Sequence, residues 1–402
     1  MRILILSHEY PPYTFGGVAH YTAELAEYLA SRGFTVYVVA GRSSKQYLDL
    51  EFRKGIKVIR VKFPDVPIRS LWYSCASKNI VQKLAAQVEY TVFNAGSAGL
   101  LPIWLYKKVN NLISIIHGTT FSLISYFKYG KISEKLRYIN LYDASYYVSF
   151  LFVNMLLNER ELKASNSIIA VARHIIDELT QIYPDLSEEI RSKSHIVYGG
   201  IDYEHLSSIY RLYRKPVQNN DKIVYAYIGR LYLTKGAHYA LKAFKLIQDE
   251  LGKEAELWIF GKGPLEKQLM FYAKKNNINA KFLGFIAREK LLKLLAKHVS
   301  TLLFPSLYEG CPYTVLEANA LGIPVIAWDM PWSREFIIQG VNGYLAKPFS
   351  LEDLADYAVK TLSLNNEKIQ KLGLKYDKKI TFYKLESILN NQKPYSNFNI
   401  EN

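Results

Sequence analysis

The chain is 402 residues long, 50% hydrophobic and 14% aromatic, with a formal net charge of +15 and two cysteines, Cys75 and Cys311. This length allows two or three domains, and a chain this long can bury on the order of 75% of its unfolded surface; two distant cysteines supply neither a disulfide framework nor a metal-ligand spacing, which fits a reducing, cytoplasmic compartment. The positive charge is spread over both halves without a dense basic tail, which argues against nucleic acid and leaves diphosphate ligands or an anionic lipid surface as partners.

In chain order, Ile3 to Leu6 reads as a first strand and is too short for a signal peptide. A loop with Tyr10-Pro11-Pro12 and Gly16-Gly17 follows, then a helix whose Val18, Tyr21, Leu25, Tyr28 and Leu29 share one face and which stops at Gly33. Strands are predicted at Thr35 to Ala40, Lys57 to Val61, Tyr90 to Phe93 and Leu112 to Ile116, the last delivering His117-Gly118 at its carboxyl end. The apolar run Tyr146 to Leu157, with Phe150 at its centre, falls short of the roughly 20 residues a membrane span needs. It reads as a buried helix or as an interfacial one resting on lipid. Ser167 to Val171 and His195 to Tyr198 complete the first series of strands.

The pattern breaks over Tyr210 to Asp221, which contains Pro216. A second alternating series then places strands at Ile223 to Ile228, Glu256 to Phe260, Lys281 to Leu283, Val299 to Phe304 and Pro324 to Ala327, separated by helical stretches. The expected fold class is therefore α/β, with two Rossmann-like lobes built on parallel sheets, residues 1–209 and 210–374. Lys375 to Asn391 reads as a terminal helix and residues 392–402 as a disordered tail.

Ligands of open α/β sheets bind at the carboxyl ends of strands, and five local patterns lie there. Glu309 and Glu317 flank a Gly310-Cys311-Pro312 turn that opens a helix, with proline where a helix start tolerates it. Carboxylates so placed can accept hydrogen bonds from sugar hydroxyls, although exposed glutamates on loops and first turns are also ordinary. Gly229-Arg230-Leu231 with Lys235-Gly236 offers a guanidinium fork and a lysine beside a helix start, a pyrophosphate clamp in the making. Gly261-Lys262-Gly263-Pro264 is either a second ligand loop or a plain turn; Glu266 excludes a dinucleotide fingerprint. Gly16-Gly17-Val18 could let backbone amides approach a phosphate or sugar, or could simply turn. His117 could donate to a sugar hydroxyl or handle a proton, and His20 is a second polar candidate. No Walker loop, no G-x-S-x-G elbow, no Asp-x-Asp and no His/Cys cluster occurs, so no metal or other cofactor is expected.

Together these residues resemble the retaining glycosyltransferases of family 4, the GT-B architecture with its active site in the interlobe cleft. The most specific element is Glu309-Gly310-Cys311-Pro312-Tyr313-Thr314-Val315-Leu316-Glu317, similar to the family's E-x7-E; the Gly229, Lys235 and Gly261 loops, Phe282-Leu283-Gly284-Phe285 and the early Gly-Gly-Val accompany it. The resemblance implies that Arg230 and Lys235 hold a nucleotide diphosphate, that Glu317 takes the ribose hydroxyls, and that the backbone around Phe285 touches the base. Glu309 and amides near Gly310, Cys311 and Pro312 would grip the donor sugar, beside His117; Gly16, Gly17, His20, Gly261 and Val315 would complete the substrate contacts. The first lobe would bind the acceptor, and the final helix would return to it. Two departures stand out: Tyr198-Gly199-Gly200-Ile201-Asp202 replaces the usual Pro-Asn-Gly-Val-Asp, and Asn94 lies where members often carry histidine, so no role is carried over at either place.

The implied reaction is metal-independent transfer of a hexosyl unit from a nucleotide-diphosphate sugar to a glycan or lipid-linked hydroxyl, with retention. Rival readings are a nucleotide-sugar epimerase or phosphorylase of the same architecture, and a nucleotide-sugar-binding protein without turnover. Basic charge and the aromatic run around Phe150 point to peripheral contact with an anionic membrane, at its inner face.

Overall fold

The computed structural model describes residues 1–14, 16–42, 49–64, 69–95, 109, 111–119, 159–214 and 222–390. The apolar run at 146–157, the tail from 392 and most of the connecting stretch at 215–221 lie outside the described residues. Among those described, the chain forms two units: one runs to Gly200 and takes up the last helix from Lys378, the other is Ile201–Asp377.

The first unit is built on an eight-stranded sheet in the order β3-β4-β2-β1-β5-β6-β7-β8. Its strands are β1 (Arg2–Ser7), β2 (Thr35–Arg42), β3 (Leu50–Arg53), β4 (Ile56–Lys62), β5 (Tyr90–Ala95), β6 (Leu112–Ile116), β7 (Ser167–Ala170) and β8 (Ser194–Ile196). All pairings are parallel except β3 with β4. Ile3, Leu4 and Ile5 are wholly buried, because a parallel strand covered on both faces needs an unbroken apolar run. Helix α1 (Gly17–Ser31) turns Tyr21, Leu25 and Leu29 inward and is followed by Gly33 at φ +86°. Helix α2 (Arg69–Ala85) lays Tyr73, Val81 and Ala85 in a buried cluster with Leu4, Leu6, Val39 and Val61. Helices α3 (Arg173–Ile182) and α4 (Ser187–Lys193) connect β7 to β8.

The second unit begins with α5 (Tyr203–Tyr213), and its six-stranded sheet is ordered β11-β10-β9-β12-β13-β14, parallel throughout. The strands are β9 (Ile223–Ile228), β10 (Ala255–Phe260), β11 (Ala280–Gly284), β12 (Val299–Leu303), β13 (Val325–Trp328) and β14 (Gly343–Ala346). Between and after them come α6 (Ala237–Leu251), α7 (Glu266–Lys275), α8 (Arg288–His298), α9 (Tyr313–Ala320), α10 (Ser333–Phe336), α11 (Leu351–Lys360) and α12 (Asn366–Leu372). The last helix, α13 (Lys378–Leu389), belongs to the first unit.

The junction lies earlier than the break expected between 209 and 210. Helix α5 buries Leu206 and Ile209 and links His205 to Glu289 of α8 at 2.9 Å, so it is part of the second unit. The terminal helix starts at Lys378 and not Lys375, because 373–376 form a 3-10 turn within the second unit. There Ile201 N donates to Tyr376 O at 2.9 Å, tying together the two points where chain leaves that unit.

Candidate active site

In the second unit the strand order reverses between β9 and β12, so the loops following these two strands diverge and leave a crevice at their carboxyl ends. The loop after β9 carries Arg230 and Lys235; the loop after β12 carries Glu309. Their backbones are held by close contacts that only glycine permits. A Cβ on Gly236 (φ +75°) would lie 1.9 Å from the Pro305 carbonyl, so this glycine brings the end of β12 against the start of α6. A Cβ on Gly261 (φ +124°) would lie 2.0 Å from the Gly229 carbonyl, and one on Gly263 2.5 Å from that of Leu231. Gly229 N in turn donates to Phe260 O at 3.0 Å and Leu231 N to Lys262 O at 3.0 Å. The Gly261-Lys262-Gly263 turn thus supports the clamp loop, and packing alone accounts for its glycines, Gly261 included.

The buried Tyr227 was not singled out in the sequence. Its hydroxyl lies 3.2 Å from the Arg230 carbonyl and 3.1 Å from the Lys235 carbonyl, bracketing the loop from beneath. Burial pushes its phenol well above the usual range, so it stays a donor.

The charged groups meet in pairs. Lys235 Nζ lies 2.7 Å from Glu309 Oε1 and 3.4 Å from the Tyr308 carbonyl, with the two side chains only 22% and 13% exposed. A lysine expected to hold phosphate and a glutamate expected to hold sugar therefore neutralise each other across the switch point. Lysine has three donors, so an anion can join this pair without displacing the carboxylate. Arg230 is different: it is exposed, its guanidinium sits 5.3 Å over the Tyr232 ring, and it pairs with no carboxylate among the described residues. Its charge is uncompensated among the described residues, on the loop that follows β9.

Glu317, on α9, is paired with Arg288, whose Nε and Nη2 both lie 2.7 Å from Oε1. Arg288 was missed in the sequence, where it opens a lysine-rich helix. One signal was there, since a cation in the first turn opposes the helix dipole and calls for a nearby anion. Phe285, just after Gly284 (φ +65°), is 79% exposed, a large aromatic face left mostly open among the described residues. Gly310, Cys311 and Pro312 lead into α9, with Pro312 as its N-cap residue and Cys311 in no disulfide. Val315 does not face a ligand: its side chain is wholly buried and its amide donates to Pro312 O at 2.8 Å.

The remaining candidates belong to the first unit. Gly16 and Gly17 are exposed at the start of α1, and a Cβ on Gly16 would meet open space, so the fold does not demand glycine there. Its amide, however, donates to Glu9 Oε2 at 3.1 Å. A carboxylate at this helix start repels phosphate, so of the two expected ligands, phosphate or sugar, a neutral sugar suits this end of α1 better. His20 is half-buried on α1. His117 follows β6 with Tyr21 edge-on, ring centroids 4.9 Å apart, and enclosure by protein pushes its pKa down to about 3.

Among the described residues no group of three or more His, Cys, Asp or Glu is disposed to hold a metal, and no helix is long and apolar enough to cross a membrane. Two family models match consecutive stretches that together span most of the chain: Glycosyltransferase Family 4 over residues 15–205 and Glycosyl transferases group 1 over residues 194–378. The chain is a glycosyltransferase of the family 4 type. A glycosyltransferase of Methanocaldococcus jannaschii is 25% identical over 395 residues, covering 92% of this chain and 93% of its own. Sucrose-phosphate synthase from Thermosynechococcus elongatus superposes with a TM-score of 0.74 at 17% identity, over 97% of this chain and 98% of that one. Anabaena HepE in complex with UDP-glucose gives 0.69 at 18%, over 97% and 100%. These likenesses establish the GT-B fold for the enzyme, two parallel-sheet α/β units in one chain.

Proposed function

We propose that the enzyme moves a hexosyl unit from a nucleotide-diphosphate sugar to an acceptor hydroxyl, with retention at the anomeric carbon and without a metal ion. The observation that carries this reading is the second unit's switch point, where the loop after β9 bears Arg230, unpaired with any carboxylate among the described residues, and Lys235, which pairs with Glu309 of the loop after β12. As the bond from the anomeric carbon to the diphosphate oxygen breaks, negative charge grows on the leaving phosphate, and fixed cations stabilise that charge more than they stabilise the bound donor. Arg230 supplies the fork, Lys235 the point charge, and the start of α9 a helix amino end. The acceptor oxygen bonds to the carbon on the face the diphosphate leaves, and its proton passes to a diphosphate oxygen, so no protein nucleophile is needed. Glu309 takes sugar hydroxyls, Glu317 the ribose hydroxyls and Phe285 the base, while His117 takes a sugar hydroxyl in the first unit. HepE, of the same fold, holds UDP-glucose, which fits a nucleotide-sugar donor here. The net charge of +15 favours a lipid-linked or anionic-membrane-associated acceptor.

The test is a panel of nucleotide sugars and hydroxyl acceptors, with released diphosphate measured and the anomeric configuration of product read by proton NMR, with and without chelator. Retained configuration with chelator-insensitive turnover is expected. Inverted product, strict dependence on a divalent ion, or no diphosphate release from any donor overturns the corresponding part of the proposal.

A further inference from the structure

Asn94, where no role could be carried over from the family, lies at the end of β5 with its side chain wholly buried. Its Oδ1 is 2.9 Å from His117 Nε2, and its Nδ2 is 3.2 Å from the Leu6 carbonyl and 3.3 Å from Thr22 Oγ1. We propose that Asn94 is a positioning residue that locks His117 as the Nε2–H tautomer, so that Nδ1 presents a bare lone pair whose partner is a hydroxyl hydrogen of bound carbohydrate. This rests on the function proposed above and specifies what one of its residues can bind.

The lock follows from donor and acceptor chemistry. The Leu6 carbonyl can only accept, so the Asn94 amide cannot be flipped without setting oxygen against oxygen. Thr22 cannot rescue a flipped amide at no cost either, because its hydroxyl already donates to the Val18 carbonyl at 2.7 Å. Oδ1 must therefore face His117, and as an acceptor it requires a proton on Nε2. A neutral imidazole with hydrogen on Nε2 has none on Nδ1. Burial disfavours the second proton that would make Nδ1 a donor. The plane of the ring is fixed by Tyr21, edge-on at an interplanar angle of 87°, which is itself packed edge-on against Phe382 at 5.4 Å. Nδ1 has no partner among the described residues.

An acceptor-only nitrogen discriminates among ligands. It attracts an O–H and repels the lone pairs of a phosphate or carboxylate oxygen. Glu9, a carboxylate on the same unit, makes the same choice at the start of α1. The sequence left His117 open as a donor to sugar; the Asn94 contact makes it an acceptor.

The experiment uses the full chain with nitrogen-labelled histidine and no ligand, assigning His117 by comparison with His117→Gln. Long-range proton–nitrogen correlation should show a protonated Nε2 and an unprotonated Nδ1 throughout about pH 5 to 8. A protonated Nδ1 in that range overturns the inference. Asn94→Asp, of nearly the same shape, should shift the His117 titration upward and give a doubly protonated ring at the acid end of the window. An Asp variant whose ring titrates like wild type also overturns it, as does an Asn94→Ala variant that keeps a single tautomer. In transfer assays with whichever donor turns over, Asn94→Ala should raise KM about tenfold, the loss of one well-formed hydrogen bond, with kcat changed less. If no donor turns over, the function proposed above fails while the tautomer measurement still decides this one.

Discussion

Lys235 and Arg230 bring the same charge to one loop but are embedded differently, and their variants should separate. Lys235 is mostly buried against Glu309. Lys235→Ala removes a charge-assisted contact to the diphosphate worth roughly 1.5 to 3 kcal/mol, so activity should fall about tenfold to over a hundredfold. It also strands a half-enclosed carboxylate, so thermal stability should fall too. Arg230→Ala should cost similar activity with an unchanged melting temperature, because its side chain is exposed and pairs with no carboxylate among the described residues. Parallel melting curves and donor kinetics check both; wild-type turnover in either variant removes that cation from the clamp. A second prediction concerns Glu161, which is 4% exposed beside Ser114 and has its pKa raised from 4.5 to about 8 by burial. The folded state keeps the proton that the unfolded chain releases above pH 4.5, so this group's contribution is complete below that value and is lost as pH rises toward about 8. Glu161→Gln should therefore gain stability relative to wild type as pH climbs through this window. A stability difference independent of pH would mean that Glu161 is already ionised in the fold.

At the scale of elements, Tyr227 shows how a strand governs the loop beyond it. Its hydroxyl lies within reach of two carbonyls of the clamp loop, and a Cβ on Gly229 would come within 3.0 Å of that oxygen. Tyr227→Phe should cost about 1 kcal/mol of stability and weaken donor binding roughly fivefold as the loop loosens. Gly229→Ala should be less harmful in the Tyr227→Phe background than alone, a coupling that a double-mutant cycle measures; strict additivity would show that the two do not share this space. The same elements explain what the sequence could and could not reveal. Strand β1 was legible because both its faces are buried and Ile3 to Leu6 is an unbroken apolar run, and β12 because it is buried throughout and ends in Leu302 and Leu303 ahead of Phe304. Strand β3 was not, since its side chains are mostly exposed and it pairs only at the sheet edge. Strand β14 was not, being four residues that begin on a glycine. Lys235 and Glu309 could be read from their loops, whereas Arg288 and Asn94 act through partners distant in sequence, a carboxylate on another helix and the carbonyl of Leu6. Contacts of that kind leave no local pattern that names the partner, even where, as at Arg288, a first-turn cation calls for one.

Across the whole molecule, the first unit is assembled from two separated parts of the sequence. Helix α13 returns to pack on α1: Tyr28 Oη donates to Glu386 Oε2 at 2.6 Å, Arg32 Nε reaches Glu386 Oε1 at 3.0 Å, and Lys378 Nζ lies 3.0 Å from Glu24. Phe382, Leu385 and Leu389 are essentially inaccessible to solvent. A Cβ on Gly200 would lie 2.7 Å from Phe382, so the chain leaving this unit also packs against the helix. Fully burying such side chains contributes roughly 1.5 to 3 kcal/mol each. Three of them approach the entire stability of an ordinary domain, about 5 to 15 kcal/mol. A chain ending at Asp377 should therefore lose the first unit while keeping the second, whose described strands and helices all lie within Ile201–Asp377. Hydrogen exchange followed by mass spectrometry is the direct measurement: β1, β2 and α1 should lose protection while β9 and β12 retain it. Glu386→Ala in the full-length chain should give a milder form of the same change, confined to α1 and α13. Undiminished protection of β1 in the shortened chain would mean that the first unit's core closes without its last helix.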